Sequence, residues 1–155
     1  MKIVFIVIDK VSSVSLQHLI QDYENRLKHY CSFSLNTIIV PKNVRNKSIE
    51  EQKREEEKLI IQQLKDADNV VLLDEKGKEM SSVEFSKWLE KQSISSKRLV
   101  FVAGGPYGFS EDFKKKYLSL SLSQMTFSHE MVRLIFLEQL YRAMTILKGQ
   151  KYHHE

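Results

Sequence analysis

Leu99-Val100-Phe101-Val102-Ala103-Gly104-Gly105-Pro106-Tyr107-Gly108 is an apolar run that empties into glycine. The whole sequence holds five glycines and two prolines, and Ala103 to Gly108 takes three of those glycines and one proline. Glycine lacks a Cβ and so permits sharp turns and close approach, while proline fixes the direction of exit. Ser110 then opens a short polar segment. A buried strand, a glycine turn and a helix start are combined in α/β proteins to receive nucleotide-like ligands. A plain tight turn between strand and helix fits the same residues. The stretch alone does not choose.

Working outward, the flanking segments repeat a strand–helix rhythm. Lys2 to Ile8 is continuously apolar and β-branched, the pattern of a strand buried on both faces. Ser12 or Ser13 caps a helix with Leu16, Leu19, Ile20, Tyr23, Leu27 and Tyr30 at helical spacing. Phe33 to Val40 returns to strand character until Pro41, and Asn43 to Lys47 is a polar, basic loop. Ser48 with Glu51 matches a capping box and opens a charged helix reaching about Asp66, its first half expected in solvent. Asn69 to Asp74 is a third strand and Glu75 to Glu79 a turn. Ser81 with Glu84 caps a helix burying Phe85, Trp88 and Leu89, and Arg98 to Ala103 leads into the glycines.

Downstream, Ser110 to about Tyr117 reads as a short helix. Leu118 to Ser123 alternates strictly, as a strand with one face in the core does. Gln124 to Phe127 is irregular, and Ser128 caps a last helix from His129 to about Leu147, stopped by Gly149. Its apolar residues spread over more than one face, which suits packing against a second subunit as well as its own core. The expected fold is α/β: a mostly parallel sheet flanked by helices, in one domain spanning residues 1–155. Ligands of such sheets sit beyond the carboxyl ends of the strands, where Leu73-Asp74 and Gly104-Gly105 both fall.

Composition bounds the chemistry. The single cysteine, Cys31, excludes an internal disulfide, a cysteine-pair redox motif and a cysteine zinc site, and suits a reducing cytoplasm. The apolar start is too short for a signal peptide, and no apolar run approaches the ~18 residues of a membrane span. Net charge is +4, yet residues 113–151 carry seven basic side chains against only Glu130 and Glu138. That asymmetry favours a polyanionic partner such as nucleic acid, although a solvated basic face accounts for it too.

Motif by motif, the usual nucleotide and acyl chemistries drop out. Asp9-Lys10-Val11 follows the first strand where a dinucleotide fingerprint needs glycines, and no glycine precedes a Lys-Ser/Thr pair as a P-loop requires. No Gly-x-Ser-x-Gly elbow exists. Metal ligation is poorly served, because His153 and His154 are adjacent and His129 has no histidine four residues away. There remains a glycine-lined site for a ligand held largely by backbone, beside a C-terminal segment rich in His, Arg and Tyr.

Leu73-Asp74 with Gly77-Lys78, Ala103 to Gly108, the run Leu118 to His129 with Arg133, Glu138 to Ala143 and the Tyr152-His153 ending together resemble the RlmH family. These are the 23S rRNA (pseudouridine-N3)-methyltransferases of the SPOUT superfamily. The resemblance spans essentially the full chain, with the C-terminal half its specific part. It implies a C-terminal trefoil knot, a topology that general rules of chain connection would reject. It also implies S-adenosylmethionine as methyl donor, a homodimer with each site near the subunit interface, and 23S rRNA in the ribosome as substrate.

Carried onto this chain, the resemblance gives the donor Leu73, Gly104, Gly105 and the segment Leu122, Ser123, Gln124, Met125, Thr126 and Phe127. A larger residue at Gly105 is then expected to block the donor while leaving the fold intact. On the acceptor side His153 is the candidate catalytic base, with Tyr152 stacking or orienting the nucleobase. His129, Arg133 and Arg142 are candidates for RNA contact. Arg142 also has Glu138 one turn earlier as a simple ion-pair partner, and Arg133 could do no more than anchor the helix start. No metal and no membrane are implied. A methyltransferase for another RNA such as tRNA, and a non-enzymatic nucleotide- or RNA-binding module, are the alternatives.

Overall fold

The structure, a computed structural model, describes residues 1–66 and 68–154. In chain order its elements are β1 (Lys2–Ile8), α1 (Val14–Leu27), β2 (Ser32–Ile38), a 3-10 helix (Lys42–Asn46), α2 (Ile49–Gln63), β3 (Asn69–Glu79), α3 (Ser82–Ser95), β4 (Arg98–Ala103), α4 (Glu111–Lys116), β5 (Leu118–Ser121) and α5 (His129–Leu147). The strands form one sheet in the order β2-β1-β4-β3-β5, and every pairing is parallel.

Side chains alternate across a strand, so the continuous apolar run of β1 feeds two cores. Ile3, Phe5 and Val7 join one with α1, α3 and α5, while Val4, Ile6 and Ile8 join the other with α2 and α4. Phe136 of α5 closes the first core, its ring centroid 4.6 Å from those of both Phe5 and Phe101. The serine caps form where sequence places them: Ser13, Ser48, Ser81, Ser110 and Ser128 each accept a backbone N–H of the following helix. Only Ser81–Glu84 completes the reciprocal box; Ser48 caps alone.

Three expectations need correction. The segment Glu75–Glu79 is not a turn but the end of an eleven-residue β3. Leu73 pairs with Leu120, the chain steps out, and Lys78 returns to the same Leu120. Gly77 makes this return possible: a Cβ there would lie 2.6–2.7 Å from the Ser119 and Leu120 backbone. In turn β5 ends at Ser121, and it does not show one apolar and one polar face. Leu118 is exposed whereas Leu120 and Ser121 are both buried, because β3 comes back to pair alongside them.

The third correction concerns α2. Its charged first half does not lie wholly in solvent, since Gln52, Glu56 and Glu57 are buried. Gln52 Nε2 donates to the Lys47 carbonyl at 2.8 Å, and both glutamates find donors outside the helix. Periodicity of apolar residues could not reveal a helix face that packs through hydrogen bonds.

Candidate functional site

Beyond the carboxyl ends of β3 and β4 lies a cleft of about 390 Å³. One wall is the glycine loop from Ala103 to Phe109, which follows β4; the other is the segment after β5, with Leu122, Ser123, Met125, Thr126 and Phe127. Leu73 and Asp74 form the floor between them, and His129 and Val132 of α5 complete it. Of the residues expected at a donor site, Gln124 alone does not line the cleft. The walls are therefore brought together by the parallel pairing of β4 and β5 on either side of β3.

The lining mixes apolar surface with charges of both signs. Leu73 and Leu122 offer apolar surface, Gly104 and Gly105 bring backbone without side chains, and Asp74, Glu75 and Glu111 share the cleft with Lys53, Lys76 and Lys114. Lys114 reaches into this group, 3.7 Å from Asp74 and 3.0 Å from Glu111. Thr126 donates its hydroxyl to Glu75 at 2.5 Å and so fastens the second wall to the stretch of β3 that steps out between Leu73 and Lys78. Sequence reasoning passed over Lys53, Glu75 and Lys114; nothing in local spacing distinguishes them from ordinary surface charges. The loop is also no phosphate cradle: α4 starts only at Glu111, and its first turn carries Glu111 and Asp112.

Gly105 has a different neighbour from the one expected. A Cβ there would come within 2.2 Å of Glu56 Oε2, so the first obstacle is a buried carboxylate of α2 rather than a ligand. The expectation of a blocked ligand over an intact fold is revised accordingly. Gly105→Ala should lower stability by about 1–3 kcal/mol, as overpacking does. Urea unfolding measures this, and in a Glu56→Ala background, itself weakened by loss of the Arg45 ion pair, the same Gly105 change should cost much less; an unaffected single variant would show that Glu56 yields freely.

His129 lies partly buried on the cleft wall. Burial, then the nearby Arg133, lower its pKa below the ordinary 6.5; Arg45 acts in the same direction, and Glu130 and Asp9 oppose it. Between the lowered value and 6.5 the unfolded chain holds a proton that the folded chain does not, so stability rises with pH through that window. Unfolding followed from about pH 5 to about pH 8 should show the slope. His129→Gln should flatten it; an unchanged slope would remove His129 as the source.

Arg133 faces inward. It is buried, donating to the carbonyl of Asp9 at 2.6 Å and to that of Ile8, so it anchors α5 on the end of β1 and is not exposed to RNA. The C-terminal residues make a separate cluster at the other end of α5. Arg142 pairs with Glu138 at 2.6 Å, lies 3.3 Å from His153 Nδ1, and stacks its guanidinium 4.8 Å from the Tyr152 ring centre. The Tyr152 hydroxyl lies 3.2 Å from both Glu138 Oε1 and the Tyr23 hydroxyl, and its ring packs on Tyr141 at 4.8 Å. Burial, with Tyr23 and Glu138, raises the Tyr152 pKa and keeps the phenol protonated. The tail is docked.

Within one chain these two assemblies do not meet. His129 borders the cleft, and Arg142 lies about 20 Å further along the helix axis. Among the described residues no group of three or more His, Cys, Asp or Glu could hold a metal ion, and no helix is long and apolar enough to cross a membrane.

Comparison with known proteins places the chain in context. Residues 1–153 match the family model described as "Predicted SPOUT methyltransferase". The chain is 54% identical to the ribosomal RNA large subunit methyltransferase H of Parabacteroides distasonis, with all of each chain covered. Proteins of the same name from Flavobacterium psychrophilum and Bacteroides fragilis are 53% and 50% identical, again over the whole of both chains.

Proposed function

The chain belongs to the SPOUT methyltransferase family, and from that premise we propose that it methylates N3 of a pseudouridine in 23S rRNA of the assembled ribosome or large subunit. The donor in this reading is S-adenosylmethionine, and the working form is a cytoplasmic homodimer. The names of the full-length relatives support a large-subunit rRNA substrate over tRNA. The observation that carries the reading is the cleft, whose walls are the same two segments that the resemblance assigns to the donor.

The residues present fit that donor. Leu73 and Leu122 would cover its adenine, and backbone groups of Gly104–Gly105 and Leu122–Phe127 would pair with the adenine edge. When bound, S-adenosylmethionine supplies an electrophilic methyl on a sulfonium. The protein's remaining task is to hold acceptor and methyl in near contact, about 3–3.5 Å apart.

Acceptor chemistry falls to the tail. N3 of the base must lose a proton to become nucleophilic, and His153 is the group to take it. Arginine only donates, so with Arg142 in place Nδ1 of His153 accepts and the neutral ring carries its proton on Nε2. His153 takes a proton at Nδ1 once Arg142 releases it, with Glu138 holding the guanidinium meanwhile. Because tail and cleft stand about 20 Å apart in one chain, a partner's tail is the one that reaches each cleft. Basic and aromatic side chains near the tail, Arg26, His29, Tyr30, Tyr141 and Lys148, surround a hollow of about 420 Å³ suited to nucleic acid.

The trefoil knot of the family belongs to the same reading. Two features support it: β3 pairs with β5 on both sides of its excursion, and α5 then crosses back to pack on α1 and α3. The deciding experiment measures methyl transfer to ribosomes that contain or lack the pseudouridine. Transfer only to the former is expected; transfer to neither, or equally to both, overturns the assignment.

A further inference from the structure

A string of charged groups runs beneath the cleft, and the transfer chemistry makes no use of it. Arg45, in the 3-10 helix, donates from Nη2 to Asp9 Oδ2 at 2.5 Å and from Nη1 to Glu56 Oε2 at 2.9 Å. Its Nη1 also lies 3.3 Å from Gln52 Oε1. Asp9 closes β1 with φ of 62°, a left-handed conformation that few side chains tolerate. Oδ1 of Asp9 accepts from the Val40 N–H at 3.0 Å, and its carbonyl accepts from Arg133 of α5. At the other end the Glu56 carboxylate lies directly against Gly105. Next along α2, Glu57 accepts from the Ser110 backbone at 3.1 Å and from its hydroxyl at 2.5 Å, holding the far end of the glycine loop.

The geometry points to Arg45 as a positioning residue of the cleft. Through Glu56 it sets the glycine loop, and through Asp9 and Arg133 it sets the start of α5, which continues from the second wall. One planar guanidinium serves two carboxylates on different elements, a task a lysine ammonium does not duplicate. Glu56 needs the partner: burial raises its pKa, and Arg45 opposes that rise. With Arg45 removed, Glu56 protonates or turns toward water, and the surface on which Gly105 rests is lost. Small displacements of a binding wall are costly when the ligand must be held in line.

This inference rests on the cleft being the donor site, and the test separates the two. Calorimetric binding of S-adenosylmethionine and steady-state transfer to ribosomes are compared for wild type, Arg45→Met, Arg45→Lys and Glu56→Gln. Arg45→Met should raise the donor Kd and KM by about tenfold or more, with kcat at saturating donor changed by less than about threefold. Arg45→Lys should recover little of this, and Glu56→Gln, which keeps shape and an acceptor, should fall between. Should Arg45→Met not fold, Glu56→Gln carries the same comparison. A folded variant with unchanged donor affinity, whatever its melting temperature, overturns the positioning role. A wild-type protein that binds no donor overturns the cleft assignment instead.

Discussion

Gly77→Ala is expected to cost about 3 kcal/mol or more, because the added methyl meets backbone rather than a movable side chain. The nearest atoms are Ser119 C and O and Leu120 N, all at 2.6–2.7 Å, in the strand that β3 rejoins. To admit a Cβ, either the pairing of Lys78 and Glu79 with β5 opens or β5 shifts as a unit. Leu122 to Phe127 follows directly from β5, so donor binding should fail together with stability. Urea unfolding and calorimetry measure both. Gly149→Ala is the control, since its φ of 67° strains a side chain but nothing lies within 4 Å. It should cost only about 1–2 kcal/mol. Equal and small losses at both sites would show that β3 does not depend on this close passage.

Removing residues 152–155 should abolish methyl transfer, by a factor of about 100 or more, and leave donor affinity unchanged. Within one chain residues 152–154 lie at the far end of α5 from the cleft, so the deletion removes none of that chain's own cleft lining. Some stability should go too, because Tyr152 packs on Tyr141 and bonds Glu138 and Tyr23. Tyr152→Phe keeps the ring and loses only those bonds, so it should retain far more activity than the truncation. Single-turnover transfer with saturating donor measures the effect. A fully active truncation would end the tail's role in the chemistry.

The sheet was legible because β1, β4 and the first half of β3 are apolar on both faces, a pattern that leaves little choice beyond a buried parallel strand. Serine caps made the helix starts legible as well, down to Ser128 before α5. One cleft wall stands out in the sequence as a glycine cluster, whereas the other, Leu122 to Phe127, comes only through the family resemblance. What escaped depends on partners distant in sequence. The return of β3 hangs on a contact between Gly77 and Ser119, and the buried glutamates of α2 on Arg45 and Ser110. Sequence leaves Arg133 open between RNA contact and anchoring the helix start; its burial against the end of β1, 124 positions away, decides for the anchor.

That last contact has a bearing on time rather than on shape. Arg133 and Phe136 of α5 close onto Ile8, Asp9 and Phe5, so the first strand made is covered by the last helix made. Contacts so remote in sequence pay their loop-closure entropy late and fold slowly. Until α5 arrives, that face of β1 and β4, with Phe5 and Phe101, has only α1 and α3 for cover and lacks Phe136. The chain therefore passes through a sticky, half-roofed sheet before it is finished, and crowded or warm refolding should lose material at that stage.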